Sequence, residues 1–322
     1  MTALHEKVPA TVLTGYLGSG KTTLLNKILT EKHGKRIAVI VNEFGEVGID
    51  HQLILNSDEE IIEMNNGCIC CKVRGDLIRI VDDIFKKQTG LDHVLIETTG
   101  LADPGPIIQS FLIDNRVCER LELDSIVTLV DAKHLKFHLD SPEAEEQIAF
   151  ADVVIINKMD IVEPDELEET ERIVKRINKF AKTYRAENAN ISIDKIMGIR
   201  CFDIKNILRI DPGILEASEH EHDTSVVSFA ISKGGVLDGT RFSRWVFDLG
   251  QQYRQNLFRM KGVLNIDNAP RRFVFQGVHM TFDGGPGKTW GKDEIRTNDL
   301  VVIGRDLDKG KIQSGLDSCF CE

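Results

Sequence analysis

Long apolar runs are absent from this sequence. A membrane-spanning helix needs about 20 mainly apolar residues, and no segment of the 322-residue chain approaches that length. The opening stretch MTALHEKVPATV also lacks the apolar segment behind a basic start that marks a secretory signal. These two absences predict a protein that does not enter a membrane and that works in the cytoplasm.

Basic charge is also in deficit. The chain has 51 acidic residues against 40 basic ones, for a net charge of −11. Such a field repels phosphodiester backbones, which disfavours nucleic-acid binding. A local group of basic residues comprises Arg254, Arg259, Lys261, Arg271 and Arg272. Because no aromatic stacking platform is evident around it, we interpret this group as scattered surface charge.

The cysteines do not suit a disulfide framework. Seven is an odd count, and without an export signal it favours reduced thiols. Three crowd together at Cys68, Cys70 and Cys71, and Cys319 and Cys321 form a second close pair. We interpret the isolated Cys118 and Cys201 as packed apolar side chains.

Short β-branched runs alternate with longer amphipathic stretches over the first two-thirds of the chain. This pattern predicts the α/β fold class, with βαβ units around a mostly parallel sheet flanked by helices. The predicted strands are Ala10–Thr14, Ile37–Val41, Glu60–Met64, Val94–Glu97, Ile126–Val130 and Val153–Ile156. The predicted helices are Lys21–Thr30, Lys72–Lys87 and Asp165–Ala181.

The pattern changes after the segment DPGILEASEHEHDT, which is rich in proline, glycine and charge and has no periodicity. Beyond it we predict strands at Val226–Ile231, Arg272–Phe282 and Leu300–Gly304 and a helix at Gly239–Gln255. We therefore expect an α/β domain at residues 1–212, a linker at 213–224 and a smaller α+β domain at 225–322.

The segment GYLGSGKTT follows the first predicted strand and opens the first predicted helix. Its Gly15, Gly20, Lys21 and Thr22 match the P-loop pattern G-x-x-x-x-G-K-[ST] in the required strand–loop–helix context. Glycines let backbone N–H groups point inward at phosphates, and the helix adds its positive end. We expect Lys21 to reach the β- and γ-phosphates and the Thr22 hydroxyl to bind Mg²⁺.

The sequence NKMD, with Asn157, Lys158 and Asp160, follows the strand Val153–Ile156. An aspartate carboxylate here can accept hydrogen bonds from guanine N1–H and the exocyclic amine, which adenine cannot supply. The motif therefore predicts GTP as the nucleotide. An ATPase is the alternative, and competition between GTP and ATP for binding distinguishes the two.

The segment VLIETTG carries two further candidates. Glu97 occupies the strand-end position of a Walker B acid, from which it can orient Mg²⁺ or its water. Gly100 can donate a backbone N–H to the γ-phosphate and report its loss. The alternative is a plain strand-to-turn exit without a role in the site.

The loop NNGCICC brings three thiols together at Cys68, Cys70 and Cys71. Three thiolates suit Zn²⁺ or a similar metal but leave a tetrahedron one ligand short, which suits transfer better than a closed structural site. Candidate fourth ligands are Glu43 or Glu46 in NEFGEVGID, water, or a client protein. Buried cysteines and redox chemistry are the alternatives.

The segment NEFGEVGID lies in the position of a switch loop, where Glu43, Glu46 and Asp50 are able to face the nucleotide. A solvated acidic loop is an equally good interpretation. Two histidine pairs are also open to a metal role, His134 with His138 and His220 with His222. We favour solvated surface histidines for both pairs.

Together these motifs resemble the CobW-like GTPases, a family of zinc and cobalt metallochaperones related to the nickel-insertion GTPases of hydrogenase and urease. The resemblance rests on GYLGSGKTT, NEFGEVGID, NNGCICC, IETTGLADPGP and NKMD in that order, followed by KGVLNID and FVFQGVH. It spans nearly the whole chain, and the three-cysteine motif is its specific element.

The resemblance implies a SIMIBI-type P-loop GTPase domain that binds Mg²⁺ and GTP and hydrolyses GTP slowly. It implies phosphate binding by Gly15, Gly18, Ser19, Gly20, Lys21, Thr22 and Thr23, and base recognition by Asn157, Lys158 and Asp160. It also implies that Cys68, Cys70 and Cys71 hold Zn²⁺ or Co²⁺, with Glu46 as an extra ligand. The histidine-rich tract of some members is reduced here to His220 and His222, which puts metal storage in doubt.

These observations lead to the hypothesis that GTP binding and hydrolysis control metal transfer to a client metalloprotein. Relatives of the SIMIBI class suggest a nucleotide-linked homodimer as well. Two alternatives stay open at this point: a zinc-binding regulatory GTPase, and a nucleotide-binding module that delivers no metal. The physiological metal and the client are not readable from the sequence.

Overall fold

The computed structural model describes residues 7–31, 33–42, 61–64, 71–87, 90–200, 226–292 and 294–321. The chain divides into two compact units. The first contains residues up to 175 and 181–202, and the second contains residues 176–180 and those from 203 onward. The predicted linker at 213–224 lies outside the described residues.

Within the described part of the first unit, seven parallel strands form the central sheet. They are β1 (Val8–Gly15), β2 (Ile37–Asn42), β3 (Ile61–Met64), β4 (His93–Glu97), β5 (Leu121–Asp131), β6 (Val153–Asn157) and β7 (Lys182–Arg185). Their order is β3-β2-β4-β1-β5-β6-β7, and every neighbouring pair is parallel. The carboxyl ends of all these strands therefore meet at one edge of the sheet, which is where open α/β sheets bind ligands.

Helices connect the parallel strands. They are α1 (Lys21–Thr30), α2 (Cys71–Lys87), α3 (Gly105–Ile113), α4 (Asn115–Arg120), α5 (Leu135–His138), α6 (Pro142–Phe150) and α7 (Pro164–Ile177), with 3₁₀ turns at Met159–Ile161 and Ile193–Lys195. None of the described helices is both long and apolar enough to cross a membrane. The predicted α/β class is confirmed, with all six predicted strands present.

Helix α7 ends earlier than predicted, and helices α3, α4, α5 and α6 were not predicted. α7 stops at Ile177 instead of Ala181, because the Asn178 side chain accepts a 3.1 Å hydrogen bond from the Phe180 N–H and turns the chain away. α3 has the sequence GPIIQSFLI and buries Ile107, Ile108 and Phe111. Gln109 and Ser110 are its only polar residues, so the alternation of polar and apolar faces that marks an amphipathic helix is weak in the sequence.

Strands β4 and β6 are buried along their whole length and are apolar apart from His93, Glu97 and Asn157. All five residues of β4 and of β6 are buried, as expected for a parallel sheet covered on both faces. α1 packs against one face through Leu24, Leu25, Ile28 and Leu29, at the spacing of a single helical stripe. This packing holds the beginning of α1 at the carboxyl edge of β1.

A buried polar cluster lies within β1, β4 and β5. His93 is 1% exposed, and its Nε2 lies 2.9 Å from the Thr11 hydroxyl oxygen. Thr11 also contacts Ser125, at 3.2 Å. Asp124 accepts hydrogen bonds from the backbone N–H groups of residues 198–200 at 2.7–3.3 Å. Burial lowers the pKa of His93 to about 4, with Asp124 opposing the shift and Lys35 adding to it.

The low pKa of His93 predicts acid sensitivity of the fold. The unfolded chain takes up this proton near the ordinary pKa of 6.5, whereas the folded protein resists protonation down to about pH 4. The stabilisation is therefore complete above pH 6.5 and is lost between 6.5 and 4. Linkage gives a loss on the order of 3 kcal/mol.

Urea unfolding across this pH range measures the effect. His93→Gln keeps a side chain able to hydrogen-bond Thr11 but cannot take up the proton, so its stability should fall less on acidification. Equal losses for the wild type and His93→Gln would show that His93 does not carry the effect.

Within the described part of the second unit, five strands form an antiparallel sheet. They are β8 (Val226–Gly234), β9 (Leu257–Leu264), β10 (Arg271–Val278), β11 (Thr281–Thr289) and β12 (Thr297–Arg305), in the order β11-β10-β9-β12-β8. Helices α8 (Gly239–Tyr253) and α9 (Lys309–Asp317) accompany the sheet, with a 3₁₀ turn at Arg254–Asn256. Phe242 and Val246 of α8 and Leu316 of α9 share one core with Met260 and Val302 of the strands. The predicted α+β character is confirmed.

Two expectations about the second unit are wrong. The predicted strand run Arg272–Phe282 is a hairpin, because His279 adopts a positive φ of 52° and reverses the chain between β10 and β11. Strand β9 was not predicted, because the charged residues Arg259 and Lys261 interrupt its apolar pattern.

The interpretation of the five basic residues as scattered surface charge is also wrong for three of them. Arg254 and Arg271 are exposed, but Arg259, Lys261 and Arg272 are 5%, 4% and 5% exposed. Arg272 donates to the Thr289 carbonyl oxygen at 2.9 Å, pairs with the Glu294 carboxylate and lies 4.6 Å from the centre of the Trp290 ring. Packing in the folded sheet therefore buries three of these five charged side chains.

Candidate nucleotide site

The turn between β1 and α1, called here the phosphate loop (residues 15–22), requires glycine. Gly15 and Gly20 have φ values of 140° and 107°. A Cβ on Gly15 would lie 2.3 Å from the Leu129 carbonyl oxygen, and one on Gly20 would lie 2.4 Å from Asn157 Nδ2. Both backbone conformation and space therefore exclude side chains at these two positions.

The phosphate loop presents groups that suit a polyphosphate. Lys21 is 8% exposed, and its ammonium donates to the carbonyl oxygens of Gly15 and Tyr16 at 2.7 and 3.3 Å. The buried Ser19 hydroxyl has no hydrogen-bond partner within the described residues. α1 begins at Lys21 without a side-chain cap or an acidic residue in its first turn, which leaves its positive end suited to an anion. Thr22 and Thr23 occupy this first turn.

Asn157 connects the phosphate loop to a second loop, called here the base loop (residues 186–190). The Asn157 amide donates to the Ser19 carbonyl oxygen at 2.9 Å and accepts from the Ala189 N–H at 2.8 Å. Asn188 and Ala189 adopt positive φ values of 49° and 53°, so the base loop turns sharply after β7. No sequence motif predicted this loop as part of the site. Its signal was a polar turn, AENAN, after a parallel strand.

Lys158 and Asp160 follow Asn157 at the same edge. Lys158 adopts a left-handed conformation, with φ 64°, and Asp160 lies in the exposed 3₁₀ turn after it. The Met159 N–H donates to the Ala186 carbonyl oxygen at 3.3 Å. The NKMD motif and the base loop thus lie together at the sheet edge, beside the phosphate loop.

Glu97 and Gly100 lie on the other side of the phosphate loop. Glu97 ends β4, is 6% exposed and pairs in register with Leu13 of β1 and Val41 of β2. A Cβ on Gly100 would lie 2.8 Å from the Leu17 backbone nitrogen. The loop after β4 therefore packs against the phosphate loop.

A network of polar side chains lies at the carboxyl end of β5. The Asp131 carboxylate, 3% exposed, accepts hydrogen bonds from Lys158 Nζ at 2.7 Å and from His134 Nδ1 at 2.9 Å. Burial alone would raise the pKa of Asp131, but the hydrogen bonds from Lys158 and His134 outweigh it and the pKa is lowered.

The two histidines near Asp131 do more than face solvent. The His138 ring lies 4.4 Å from the Tyr16 ring, and burial lowers the pKa of His138 while Asp131 opposes the shift. His134 is about half exposed but bonded to Asp131. No group of three or more potential metal ligands occurs among the described residues.

The proposed metal ligands lie largely outside the described residues. Cys68, Cys70 and Glu46 fall there, as do Glu43, Asp50, Cys201, His220 and His222, while Cys71 is the first residue of α2. The structure does describe the two strand ends that precede the NEFGEVGID and NNGCICC segments. Asn42, the last residue of β2, pairs in register with Met64, the last residue of β3.

The remaining cysteines of the described part differ in exposure, and two of them are packed. The Cys118 thiol donates to the Phe111 carbonyl oxygen at 3.1 Å. Cys319 is buried in the core of the second unit, where burial raises its pKa, whereas Cys321 is exposed. The close pair in sequence is thus divided between core and surface.

The fold and this site define a P-loop nucleotide-binding protein. Residues 9–185 match the profile of the CobW/HypB/UreG nucleotide-binding domain, and residues 226–320 match that of the cobalamin synthesis protein cobW C-terminal domain. The chain belongs to the CobW/HypB/UreG family.

Similar proteins extend over the whole chain. It is 35% identical over 313 residues to zinc chaperone YjiA of Escherichia coli strain K12, covering 95% of this chain and 97% of that protein. It is 30% identical over 349 residues to zinc chaperone CobW of a Sinorhizobium species, covering 98% of each. The crystal structure of the Zn(II)-bound YjiA GTPase from E. coli matches with a TM-score of 0.76 at 30% identity, covering 98% of this chain and 100% of that one.

The contact between Gly20 and Asn157 leads to a prediction about stability. Gly18 also has a positive φ, 74°, but a Cβ there would meet nothing within 4 Å. Gly18→Ala should cost about 1 kcal/mol of unfolding free energy through backbone strain alone. Gly20→Ala should cost a further roughly 1–3 kcal/mol, because its Cβ displaces the Asn157 amide.

Urea unfolding of the nucleotide-free protein measures both variants, with Gly18→Ala as the matched control. Equal costs at the two positions would contradict a tether between Asn157 and the phosphate loop.

Proposed function

We propose that this protein is a GTP-hydrolysing metallochaperone that binds Zn²⁺ at its cysteine motif and couples the nucleotide state to metal transfer. The observation that carries the proposal is the strand order β3-β2-β4-β1. Because these four strands are adjacent, the segments that follow them begin at one edge of the sheet. In the order of the strands, these segments are NNGCICC, NEFGEVGID, the loop containing Gly100 and the phosphate loop.

Within this proposal the phosphate loop binds the triphosphate of GTP. Backbone N–H groups of Gly15, Gly18, Gly20 and Thr23, together with the Ser19 hydroxyl, surround the phosphates. Lys21 leaves the carbonyl oxygens that it now contacts and turns to the β- and γ-phosphates, a change that its flexible stem permits. Its positive charge then stabilises the negative charge that develops during phosphoryl transfer.

Thr22 and Glu97 are the residues that would hold Mg²⁺. A hydroxyl and a carboxylate are oxygen ligands of the kind that this ion prefers. Bound there, Mg²⁺ supplies charge neutralisation on the phosphate oxygens. The orphaned Ser19 hydroxyl, the lysine and the uncapped helix fit a magnesium–nucleotide complex.

Guanine recognition falls to Asn157, Lys158 and Asp160. Asp160 pairs with guanine N1–H and the exocyclic amine, and the stem of Lys158 packs on the face of the base. Asn157 contributes indirectly, because its amide bonds to Ser19 and Ala189 hold the phosphate and base loops in register. Gly100 responds to the γ-phosphate through its contact with Leu17.

Zn²⁺ is the proposed cargo, held by Cys68, Cys70 and Cys71 with Glu46 as an extra ligand. The names of the relatives support this metal, since they are zinc chaperones and, in Saccharomyces cerevisiae, a zinc-regulated GTPase metalloprotein activator. Three thiolates also accept Co²⁺, so chemistry alone does not select one ion. A client metalloprotein, a cytoplasmic location and a nucleotide-linked homodimer stay predictions.

Coupling between nucleotide and metal follows from the shared sheet edge. GTP orders the loop after β2 through its γ-phosphate, and that loop begins beside the cysteine loop at the Asn42–Met64 pair. Linkage then requires that zinc tighten GTP binding by the factor by which GTP tightens zinc binding. Hydrolysis removes the γ-phosphate and loosens the metal for transfer.

The enzymatic part of the proposal predicts a slow release of phosphate from GTP that depends on Lys21. Lys21→Ala should lower this release by about 100-fold or more, since the charge facing the phosphates is lost. Phosphate release under excess GTP, with and without competing ATP, measures both activity and base preference. Lys86→Ala, an exposed lysine on α2, is the control and should match the wild type. Release that survives in Lys21→Ala, or that ATP supports equally well, contradicts a GTPase.

The metal part predicts about one zinc per chain, bound through the three thiols. A variant with Cys68, Cys70 and Cys71 all changed to serine should lose this zinc, because hydroxyls are much weaker ligands than thiolates. Zinc titration of the untagged protein in the nucleotide-free, GDP and GTP-analogue states measures the affinity, which should rise about tenfold with the GTP analogue.

Cys321→Ser serves as the control for this experiment, because Cys321 is an exposed thiol outside the motif. It should bind zinc like the wild type. Unchanged zinc content in the triple variant contradicts the metal site, and equal zinc affinities in the GDP and GTP-analogue states contradict the coupling.

A further inference from the structure

Asp131 has a role that neither the sequence motifs nor the proposed reaction assigns. It is the last residue of β5 and pairs in register with Asn157, the last residue of β6. Its carboxylate is nearly inaccessible, at 3% exposure, although it lies at the edge of the sheet where ligands bind. A buried carboxylate is costly unless its oxygens are fully bonded, so its contacts define its function.

Both carboxylate oxygens of Asp131 are engaged. Oδ1 accepts from the backbone N–H groups of Lys133 and His134 at 2.9 and 3.3 Å, which fixes the orientation of the carboxylate within its own turn. Oδ2, held in place by that turn, accepts from Lys158 Nζ at 2.7 Å and from His134 Nδ1 at 2.9 Å. The carboxylate is therefore a rigid anchor for the Lys158 ammonium.

This anchor determines the path of the Lys158 side chain. Lys158 leaves β6 in a left-handed turn, and its side chain reaches across to the end of β5. Its aliphatic stem consequently lies between the end of β6 and the end of β5, where Asp131 and Asn157 pair in register. A flat, apolar base face packs well on such a stem.

Electrostatics gives the anchor a second effect. A bound triphosphate would attract the ammonium of Lys158 toward the phosphates, away from the base. The Asp131 carboxylate opposes this attraction at hydrogen-bond distance, where a charge-assisted bond is strong. The Lys158 ammonium then remains bonded to Asp131 at the end of β5, and the aliphatic stem of Lys158 remains where the base would pack.

From this geometry we infer that Asp131 is a positioning residue for guanine recognition, which sets the stem of Lys158 against the base. This inference rests on the proposed function, because it requires that the phosphate loop and the NKMD motif bind GTP. It predicts that a change at Asp131 weakens the binding of ligands that carry the guanine base and does not weaken the binding of phosphates alone.

The test compares GTP with inorganic tripolyphosphate, which carries the phosphates without the base. Asp131→Asn keeps the size of the side chain but loses the charge that holds Lys158. It should bind GTP about tenfold more weakly, and tripolyphosphate within about twofold of the wild type, since the phosphate loop is untouched. Displacement of a fluorescent GTP analogue by each ligand gives both affinities.

A double-mutant cycle separates positioning from a general structural role. In a Lys158→Ala background, Asp131→Asn should cause no further loss of GTP affinity, because the side chain that it positions is gone. His134→Ala removes the other side-chain donor to Asp131 while leaving Lys158 in place, and should bind GTP nearly as well as the wild type. Asp131→Glu retains the charge but moves the carboxylate by one methylene group, so it should lose part of the GTP affinity. This variant replaces Asp131→Asn in the experiment if Asp131→Asn does not fold.

Three results overturn the inference while leaving the proposed function standing. They are GTP affinity in Asp131→Asn equal to that of the wild type, an equal loss for tripolyphosphate, and full additivity with Lys158→Ala. A wild-type protein that does not prefer GTP over ATP overturns the proposed function itself, and the inference falls with it.

Discussion

The site depends on one buried side-chain amide, that of Asn157. It is 2% exposed, donates to the phosphate loop at Ser19 and accepts from the base loop at Ala189. The two bonds use both ends of the amide, so neither loop can move without leaving a buried polar group unpaired. The glycine at position 20 is part of the same arrangement, because only a residue without a Cβ leaves room for the Asn157 nitrogen.

The order of strands extends this arrangement beyond the nucleotide. From β1 the sheet runs in one direction to β5 and β6, whose ends carry Asp131 and Asn157, and in the other to β4, β2 and β3. Strands β5 and β6 carry the part of the site that is proposed to bind the base. The other direction leads from the phosphate loop to the cysteine motif through strands that are parallel and in register. The strand ends that precede the NEFGEVGID and NNGCICC segments therefore lie at the same edge of the sheet as the phosphate loop.

Polar groups inside the two units are stabilised in different ways. In the first unit His93 remains neutral, and hydroxyl and backbone groups complete the cluster around it. In the second unit Arg272 stays charged and is matched by Glu294 and by the face of Trp290. Both solutions satisfy the rule that a buried polar group needs a partner or must lose its charge.

The local motifs were predictable because their chemistry is contained in a few consecutive residues. The bounds of α1, the positions of all the described first-unit strands except β7 and the glycine requirement of the phosphate loop follow from periodicity, turn chemistry and spacing. The β10–β11 hairpin and strand β9 did not, since His279 is no usual turn residue and Arg259 and Lys261 mask an apolar strand. The roles of individual site residues stay predictions until binding is measured.

By itself the sequence determined the class of domain, the phosphate loop and the NKMD and cysteine motifs as candidates, because each depends on near neighbours in the chain. Only the tertiary structure decided which of these segments meet. Asn157 reaches Ser19 across 138 positions, and Asp131 reaches Lys158 across 27. Such contacts arise from the order of strands in the sheet, which is selected by the packing of the whole unit and leaves no mark in the local pattern of either partner.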